Sequence, residues 1–168
     1  VGTEVVGQEF SIVRYDGHPY SPYYSSEFVG TRHIADALNS GVFFVNFNGH
    51  GGGNVWSDND FFSYTDVGRL YNGRWGEGGK LPVIFSFTCL TGFFESVYYK
   101  SLGEELLRTN EHGAVGFYGA SAYTSRNANI IMNRILLDAA CHGEFETIGA
   151  LVWYTEMQML ARYRSAYS

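Results

Sequence analysis

Two short apolar runs, each ending in a turn that contains glycine, dominate the hydrophobic pattern of this chain. Residues 42–47 (VFFVNF) and 81–87 (LPVIFSF) are rich in β-branched and aromatic side chains, which predicts buried strands. A third run at 113–119 (GAVGFYG) predicts another strand. Helices are predicted over residues 31–39, 101–108, 128–140 and 148–163. Because strands alternate with helices, the pattern favours a parallel, doubly wound α/β sheet.

The helical periods also predict which side chains face the core. The expected inward residues are Ile34, Ala35, Leu38, Leu102, Leu106, Leu107, Ile131, Ile135, Leu136, Ala139, Leu151, Val152, Met159 and Leu160. A further helix, capped by Ser63 or Thr65, is expected to carry Val67, Leu70 and Tyr71. Three strands are few for a covered sheet, so we expect more strands in residues 1–28 or in a preceding segment.

Length and composition limit the classes of protein to consider. The 168 residues suffice for one domain with a real core, and we treat 1–168 as a single domain with an irregular N-terminal segment at 1–40. The net charge of −6 argues against nucleic acid or an anionic membrane as the main partner. No stretch approaches the roughly 20 apolar residues of a membrane span. Two cysteines make no disulfide framework.

A histidine and a cysteine follow the first two predicted strands. His50 lies in a glycine-rich turn after the first strand, and Cys89 follows the second. If the strands are parallel neighbours, both side chains emerge at the carboxyl edge of the sheet, where open α/β sheets place their sites. A nearby imidazole promotes thiolate formation and protonates the leaving group, so this pair predicts nucleophilic catalysis. The N–H groups of Gly51 and Cys89 are candidate oxyanion-hole donors.

The segment after the third strand is expected at the same edge of the sheet. Residues 119–126 could therefore form the wall of a substrate pocket. The predicted lining residues are Trp56, Ser121, Ala122 and Tyr123, of which Trp56 could equally belong to the core.

Each of these residues also has a simpler interpretation than catalysis. A cysteine after an apolar run is more often an inert buried thiol, and a histidine among glycines is more often a turn residue. Their occurrence together at two strand ends favours catalysis. Cys141 and His142 are a rival pair, but adjacent residues on a helix do not face each other. Zinc is not expected, because the other histidines lack ligand-like spacing to a cysteine.

Two other motifs are incomplete. Residues 50–53 (HGGG) match the oxyanion stretch of some lipases and esterases, but residues 119–123 (GASAY) lack the second glycine of a G-x-S-x-G elbow. A serine esterase is therefore a weaker alternative. Residues 78–81 (GGKL) have no Ser or Thr after the lysine and precede a strand, so a phosphate loop is rejected.

Several stretches together resemble the gingipain-like cysteine peptidases of peptidase family C25, relatives of caspases and legumains. They are residues 46–51 (NFNGHG), 82–94 (PVIFSFTCLTGFF), 101–107 (SLGEELL) and 113–121 (GAVGFYGAS), with Trp56 and the 66–72 region between them. The order of these stretches is specific. An apolar strand that ends in His-Gly is followed by a second that ends in Cys, and then by the Gly-Ala-Val strand. The resemblance covers the chain from about Gly41 to about Leu160.

The resemblance implies a caspase-like fold, that is, an α/β three-layer α/β/α sandwich with a mostly parallel central sheet. It implies a cysteine peptidase in which His50 is the general acid/base, Cys89 the nucleophile, and Gly51 and Cys89 the oxyanion donors. The substrate would be a protein or peptide, hydrolysed or transferred through a thioester. It further implies a secreted or cell-surface bacterial protein with additional domains. Some relatives act as sortase-like peptidases in a bacterial secretion system.

The chain also departs from the family pattern. Family members have more sequence ahead of the histidine, including an acid that orients it, and none of Glu4, Glu9, Asp16 or Glu27 can be aligned with that acid. No cofactor is required, although residues 58–60 (DND) form an oxygen-rich loop that could hold calcium as a structural ion. The chain thus looks like part of a larger peptidase unit. A catalytically inactive, peptidase-like binding or assembly module is the main alternative.

Overall fold

A computed structural model describes residues 30–57, 61–73, 79–143 and 145–166 of the chain. Its helices are α1 (Gly30–Ser40), α2 (Leu102–Arg108), α3 (Arg126–His142) and α4 (Ile148–Ala166). Its strands are β1 (Phe44–Asn48), β2 (Gly51–Gly52), β3 (Val55–Trp56), β4 (Phe62–Ser63), β5 (Val83–Phe87) and β6 (Gly116–Gly119). Residues 1–29, where further strands were expected, lie outside the described residues.

The three predicted strands form one parallel sheet in the order β1-β5-β6. Each strand begins later than the apolar run that predicts it, at Phe44, Val83 and Gly116. For β6 the reason is local: Gly113 adopts a positive φ of 103°, and the N–H of Ala114 donates to the carbonyl of Leu106 at the end of α2. The first residues of that run therefore belong to the turn from α2 into the sheet.

The sheet lies between two apolar layers, as the α/β sandwich predicts. Successive side chains of a strand point to opposite faces of the sheet, and those of β5 do so here. Ile84 packs with the layer that contains α1, α2 and the short strands, whereas Phe85 packs with the layer that contains α3 and α4. All five residues of β5 are buried, as expected for the central strand of a covered parallel sheet.

The glycine-rich turn after β1 is not a simple loop. It enters a small antiparallel sheet in the order β2-β3-β4, in which Gly51 pairs with Trp56 and Trp56 pairs with Phe62. The aromatic rings of Phe47 and Trp56 stack with centroids 4.6 Å apart, so this small sheet packs directly onto β1.

Helix caps and burial agree with most of the predicted pattern. Ser101 caps α2 by accepting from the N–H of Glu104, and Ser125 caps α3 by accepting from the N–H of Ala128. The prediction of an inward side chain is wrong for two residues, Leu107 and Leu160, which are 42% and 46% exposed. Leu107 follows the fully buried Leu106 directly, and adjacent helical residues point in different directions.

The helix expected after Ser63 or Thr65 is a single 3₁₀ turn, Asp66–Arg69. Its N-cap residue, Thr65, makes no side-chain capping bond, and Ser63 instead donates from its N–H and hydroxyl to the Asp66 carboxylate. Val67 and Leu70 are buried as predicted, but Tyr71 is half exposed, because one short turn can bury only one side.

Candidate active site

The strand register brings the histidine and cysteine segments to one edge of the sheet. Asn48, the last residue of β1, pairs with Phe87, the last residue of β5. His50 follows Asn48 by two residues, and Cys89 follows Phe87 by two residues. The N–H of Gly49 still donates to the carbonyl of Phe87 over 3.4 Å, so pairing continues past the end of the ladder. Both residues therefore leave the sheet at the same level on neighbouring strands.

The backbone on both sides of His50 is fixed, while its side chain is exposed. The His50 carbonyl accepts from the N–H of Ser57 over 2.8 Å, which ties the turn to the small sheet. Gly51 lies directly against the cysteine segment: a Cβ at this position would lie 2.8 Å from the Cβ of Thr88 and 3.0 Å from the carbonyl oxygen of Cys89. Only glycine fits there without displacing backbone, so the chemistry of this turn depends on Gly51.

Cys89 lies in a tight turn with its side chain partly exposed. The next residue, Leu90, has a φ of 61°, which is unusual for a residue with a Cβ. The N–H of Leu90 donates to the carbonyl of Ala122 over 3.2 Å, which anchors the turn to the segment that follows β6. Strain of this kind costs free energy and persists where the surrounding structure enforces it, often at functional sites.

A buried network of hydroxyl groups lies beneath the cysteine turn. The hydroxyl oxygens of Ser86, Thr88 and Thr91 lie 2.8–3.2 Å from one another. The indole N–H of Trp56 donates to the Ser86 hydroxyl over 2.9 Å, which links the small sheet to this network. Ser86, Thr88 and Thr91 are at most 2% exposed. The base of the turn is therefore held by mutually satisfied polar groups.

The segment after β6 runs beside the cysteine turn. Two main-chain bonds join them, from Leu90 to Ala122 and from Gly92 to Ala120. Ser121, Ala122 and Tyr123 are exposed next to the turn, and Tyr123 is 84% exposed. Trp56 is 1% exposed and packs between Phe47 and Phe62, so this burial argues against its predicted place in the pocket.

The structure adds two residues that the sequence pattern did not single out. The N–H of Thr124 donates to the sulfur of Cys89 over 3.4 Å, and the side-chain N–H of Asn129 donates to the Thr124 hydroxyl over 2.8 Å. Their only signal in the sequence is position, because Thr124 directly precedes the N-cap of α3 and Asn129 lies in the first turn of that helix. Hydrogen bonds of this kind leave no periodic pattern of apolar residues.

The remaining candidate groups lie elsewhere or outside the described residues. Cys141 is exposed near the C-terminal end of α3, where His142 Nδ1 lies 3.4 Å from the Asp138 carboxylate. A helix of 17 residues is about 25 Å long, which separates this pair from Thr124 at the other end.

No cluster of three His, Cys, Asp or Glu residues suited to a metal occurs in the described part of the chain. Residues 58–60 and the acidic residues Glu4, Glu9, Asp16 and Glu27 fall outside it. In that part of the chain, no helix has the length and apolar character needed to span a membrane.

Comparison with known proteins gives consistent matches. A family model described as peptidase family C25 matches residues 10–168. Gingipain R2 of Porphyromonas gingivalis is 33% identical over 85 residues, which are 51% of this chain and 11% of that protein. Gingipain R1 of the same organism is also 33% identical over 85 residues, covering 51% of this chain and 8% of that protein.

Solved structures match at the level of the fold. The crystal structure of the Arg-specific cysteine proteinase gingipain R is similar with a TM-score of 0.65 and 26% identity, covering 79% of this chain and 31% of that chain. The complex of the pro- and mature domains of Porphyromonas gingivalis RgpB gives a TM-score of 0.71 at 23% identity, covering 79% and 32%. The chain thus spans about a third of the solved proteins that it matches.

Proposed function

This chain belongs to peptidase family C25, and we propose that it carries the catalytic dyad of a cysteine peptidase, with Cys89 as nucleophile and His50 as general acid/base. The observation that carries this proposal is the register of the parallel sheet. Asn48 and Phe87 pair, and the two proposed catalytic residues each follow by two positions at the carboxyl edge. Function in α/β sheets is concentrated at this edge.

The proposed reaction has two halves. In the first, the Cys89 thiolate attacks the carbonyl carbon of a peptide bond, a C–S bond forms, and the carbonyl oxygen takes the negative charge. Collapse of this intermediate breaks the C–N bond, and the leaving amine takes a proton from the His50 imidazolium. In the second, His50 removes a proton from water or an amine, which attacks the thioester carbonyl. The C–S bond breaks, the acyl group leaves as an acid or a new amide, and the Cys89 thiolate is regenerated beside the His50 imidazolium.

The oxyanion would be stabilised by the main-chain N–H groups of Gly51 and Cys89. Their segments are in contact, since a Cβ at Gly51 would lie 3.0 Å from the carbonyl oxygen of Cys89. The hydroxyl network beneath Cys89 and the Thr124 contact on its sulfur restrict movement of the turn. A fixed turn supports the proposal because donors that need no reorganisation stabilise a developing charge most effectively.

The substrate is proposed to be a protein or peptide that runs along the exposed wall formed by Ser121, Ala122 and Tyr123. These residues are exposed beside the cysteine turn and are therefore accessible to a peptide chain. The acid that orients His50 would come from a segment upstream of the described residues. Calcium, if bound, would serve as a structural ion rather than as a cofactor of the reaction.

We place the chain in a larger protein that acts outside a bacterial cell or on its surface. The relatives from Porphyromonas gingivalis are much longer than the matched segment, and one similar structure is a complex of pro- and mature domains. Further domains of the same protein are therefore its proposed partners.

Trapping of the thioester tests this function. The chain is incubated with a mixed peptide library, quenched in acid and analysed by mass spectrometry for peptides attached to Cys89. We expect acylation of Cys89 that disappears in Cys89→Ser and is unchanged in Cys141→Ser. Absence of any acylated Cys89 would contradict the proposal and favour a non-catalytic, peptidase-like assembly module.

A further inference from the structure

Thr124 surrounds the sulfur of Cys89 with three polar groups. Its main-chain N–H donates to Sγ over 3.4 Å, and its carbonyl oxygen and its hydroxyl Oγ1 each lie 3.6 Å from Sγ. The thiol hydrogen can donate to the carbonyl, while the N–H can donate to sulfur in either protonation state. One residue therefore supplies the polar surroundings of the proposed nucleophile.

The Thr124 hydroxyl is itself held in place by two other groups. It accepts from the side-chain N–H of Asn129 over 2.8 Å and donates to the carbonyl of Thr88 over 3.3 Å. A hydroxyl group has one hydrogen to donate. Because Asn129 donates into Oγ1, the Thr124 hydrogen stays available for an acceptor, and the acceptors in reach are the Thr88 carbonyl and the Cys89 sulfur.

Asn129 is well placed to fix this arrangement. It is 8% exposed, and it lies in the first turn of α3, where its N–H donates to the carbonyl of Ser125 over 3.0 Å. The Ser125 side chain caps the same helix by accepting from the N–H of Ala128. The long helix α3 thus holds the Asn129 amide, and the amide holds the Thr124 hydroxyl beside the sulfur.

We propose that Thr124 and Asn129 are positioning residues that stabilise the thiolate form of Cys89. This inference rests on the proposed function of Cys89 as a nucleophile. When the thiol loses its proton, the Thr124 hydroxyl turns its hydrogen from the Thr88 carbonyl to the sulfur. The oxygen does not move, because Asn129 continues to donate to it. The thiolate then receives two hydrogen bonds from one residue, through N–H and O–H.

The rate at which iodoacetamide alkylates Cys89, followed by mass spectrometry at pH 7, tests the inference. Thr124→Val keeps the branched shape and the N–H but removes the hydroxyl, and Asn129→Leu removes the amide. We expect each to slow alkylation of Cys89 by about tenfold, since hydrogen bonds to charged groups are stronger than neutral ones. Thr124→Ser should restore most of the rate. Asn127→Ala, an exposed position in the same helical turn, is the matched control.

Cys141 in the same molecule provides an internal reference, because it is exposed at the other end of α3. Wild-type rates for Cys89 in both Thr124→Val and Asn129→Leu would overturn the inference. So would equal slowing in Thr124→Ser and Thr124→Val together with a matching fall in Tm, since that pattern marks a structural role. The proposed function fails separately, if wild-type Cys89 reacts no faster than Cys141.

Discussion

Gly51 lies against Thr88 so closely that a Cβ on Gly51 would approach the Thr88 hydroxyl oxygen to 2.7 Å. Thr88 is fully buried and hydrogen-bonded to Ser86 and Thr91, so displacing its side chain would break buried hydrogen bonds. This contact fixes the distance between the turn that carries His50 and the turn that carries Cys89. The fit of one glycine therefore controls the geometry of the proposed active site.

Gly51→Ala should separate the two turns. We expect a loss of about 1–3 kcal/mol in the free energy of unfolding, as for other overpacked sites, and at least a tenfold slower alkylation of Cys89. Urea denaturation and labelling measure the two effects. Gly52→Ala is the matched control, because its Cβ would meet only the Val55 side chain at 3.3 Å. Equal behaviour of the two variants would show that the Gly51 contact is unimportant.

Ser86→Ala should destabilise the fold by removing the acceptor of a buried indole. Trp56 would keep an N–H with no acceptor in the core, which costs about 1–3 kcal/mol. Urea denaturation measures the loss, and Ser121→Ala, at an exposed position, should change stability by less than about 0.5 kcal/mol. The double variant Ser86→Ala/Trp56→Phe should lose less unfolding free energy than the sum of the losses in the two single variants. Strict additivity would contradict the proposed coupling.

Leu90→Ile tests the strain in the cysteine turn. At a φ of 61°, a β-branched side chain is less favourable than an unbranched one, and we expect a loss of about 1 kcal/mol in unfolding free energy. Leu90→Met keeps the unbranched Cβ and should cost less. Thermal unfolding of both variants decides the matter. A Leu90→Ile variant as stable as Leu90→Met would mean that the turn relaxes without cost.

Tyr118 should make stability fall at alkaline pH. Burial, followed by the nearby Glu156 carboxylate that accepts from its hydroxyl over 3.1 Å, raises the pKa of Tyr118 above its ordinary value. The native state therefore retains this proton when the unfolded state has lost it. The stabilisation is complete below about pH 10, the ordinary tyrosine value, and is lost as the pH rises further.

Tyr118→Phe removes the titrating hydroxyl. Unfolding free energies from urea curves between pH 8 and pH 11 should fall less steeply for Tyr118→Phe than for the wild type. Tyr154→Phe serves as the control, since Tyr154 also packs against an aromatic ring, that of Phe145. Identical slopes for the wild type and Tyr118→Phe would show that Tyr118 does not contribute.

The strands, and the placement of His50 and Cys89 at one edge of the sheet, could be predicted because they depend on local patterns. β1 and β5 are continuous apolar runs, and parallel strands bring their carboxyl ends to one edge. His50 and Cys89 closely follow these strands, so the strand ends alone are enough to predict that both residues lie at that edge. The burial of Leu102, Leu106 and Leu136 likewise follows from helical periodicity.

The rest depends on contacts that leave no periodic signal. The small sheet that begins at Gly51 could not be predicted, because glycine has no side chain to show the alternation of a strand. The place of Trp56 depends on packing between Phe47 and Phe62, residues from two different sheets. The contact of Thr124 with Cys89 joins two loops 35 residues apart in the chain.

The most direct test of the central claim is the alkylation rate of Cys89 with and without its proposed partner. At pH 7, wild-type Cys89 should react with iodoacetamide about tenfold or more faster than Cys141, because a paired thiolate is the reactive species. His50→Ala should slow alkylation of Cys89 by about tenfold, whereas His142→Ala, at an exposed histidine on α3, should leave the rate of Cys89 unchanged. Equal and slow labelling of both cysteines in the wild type, or fast labelling of Cys89 that persists in His50→Ala, would contradict a Cys89–His50 dyad.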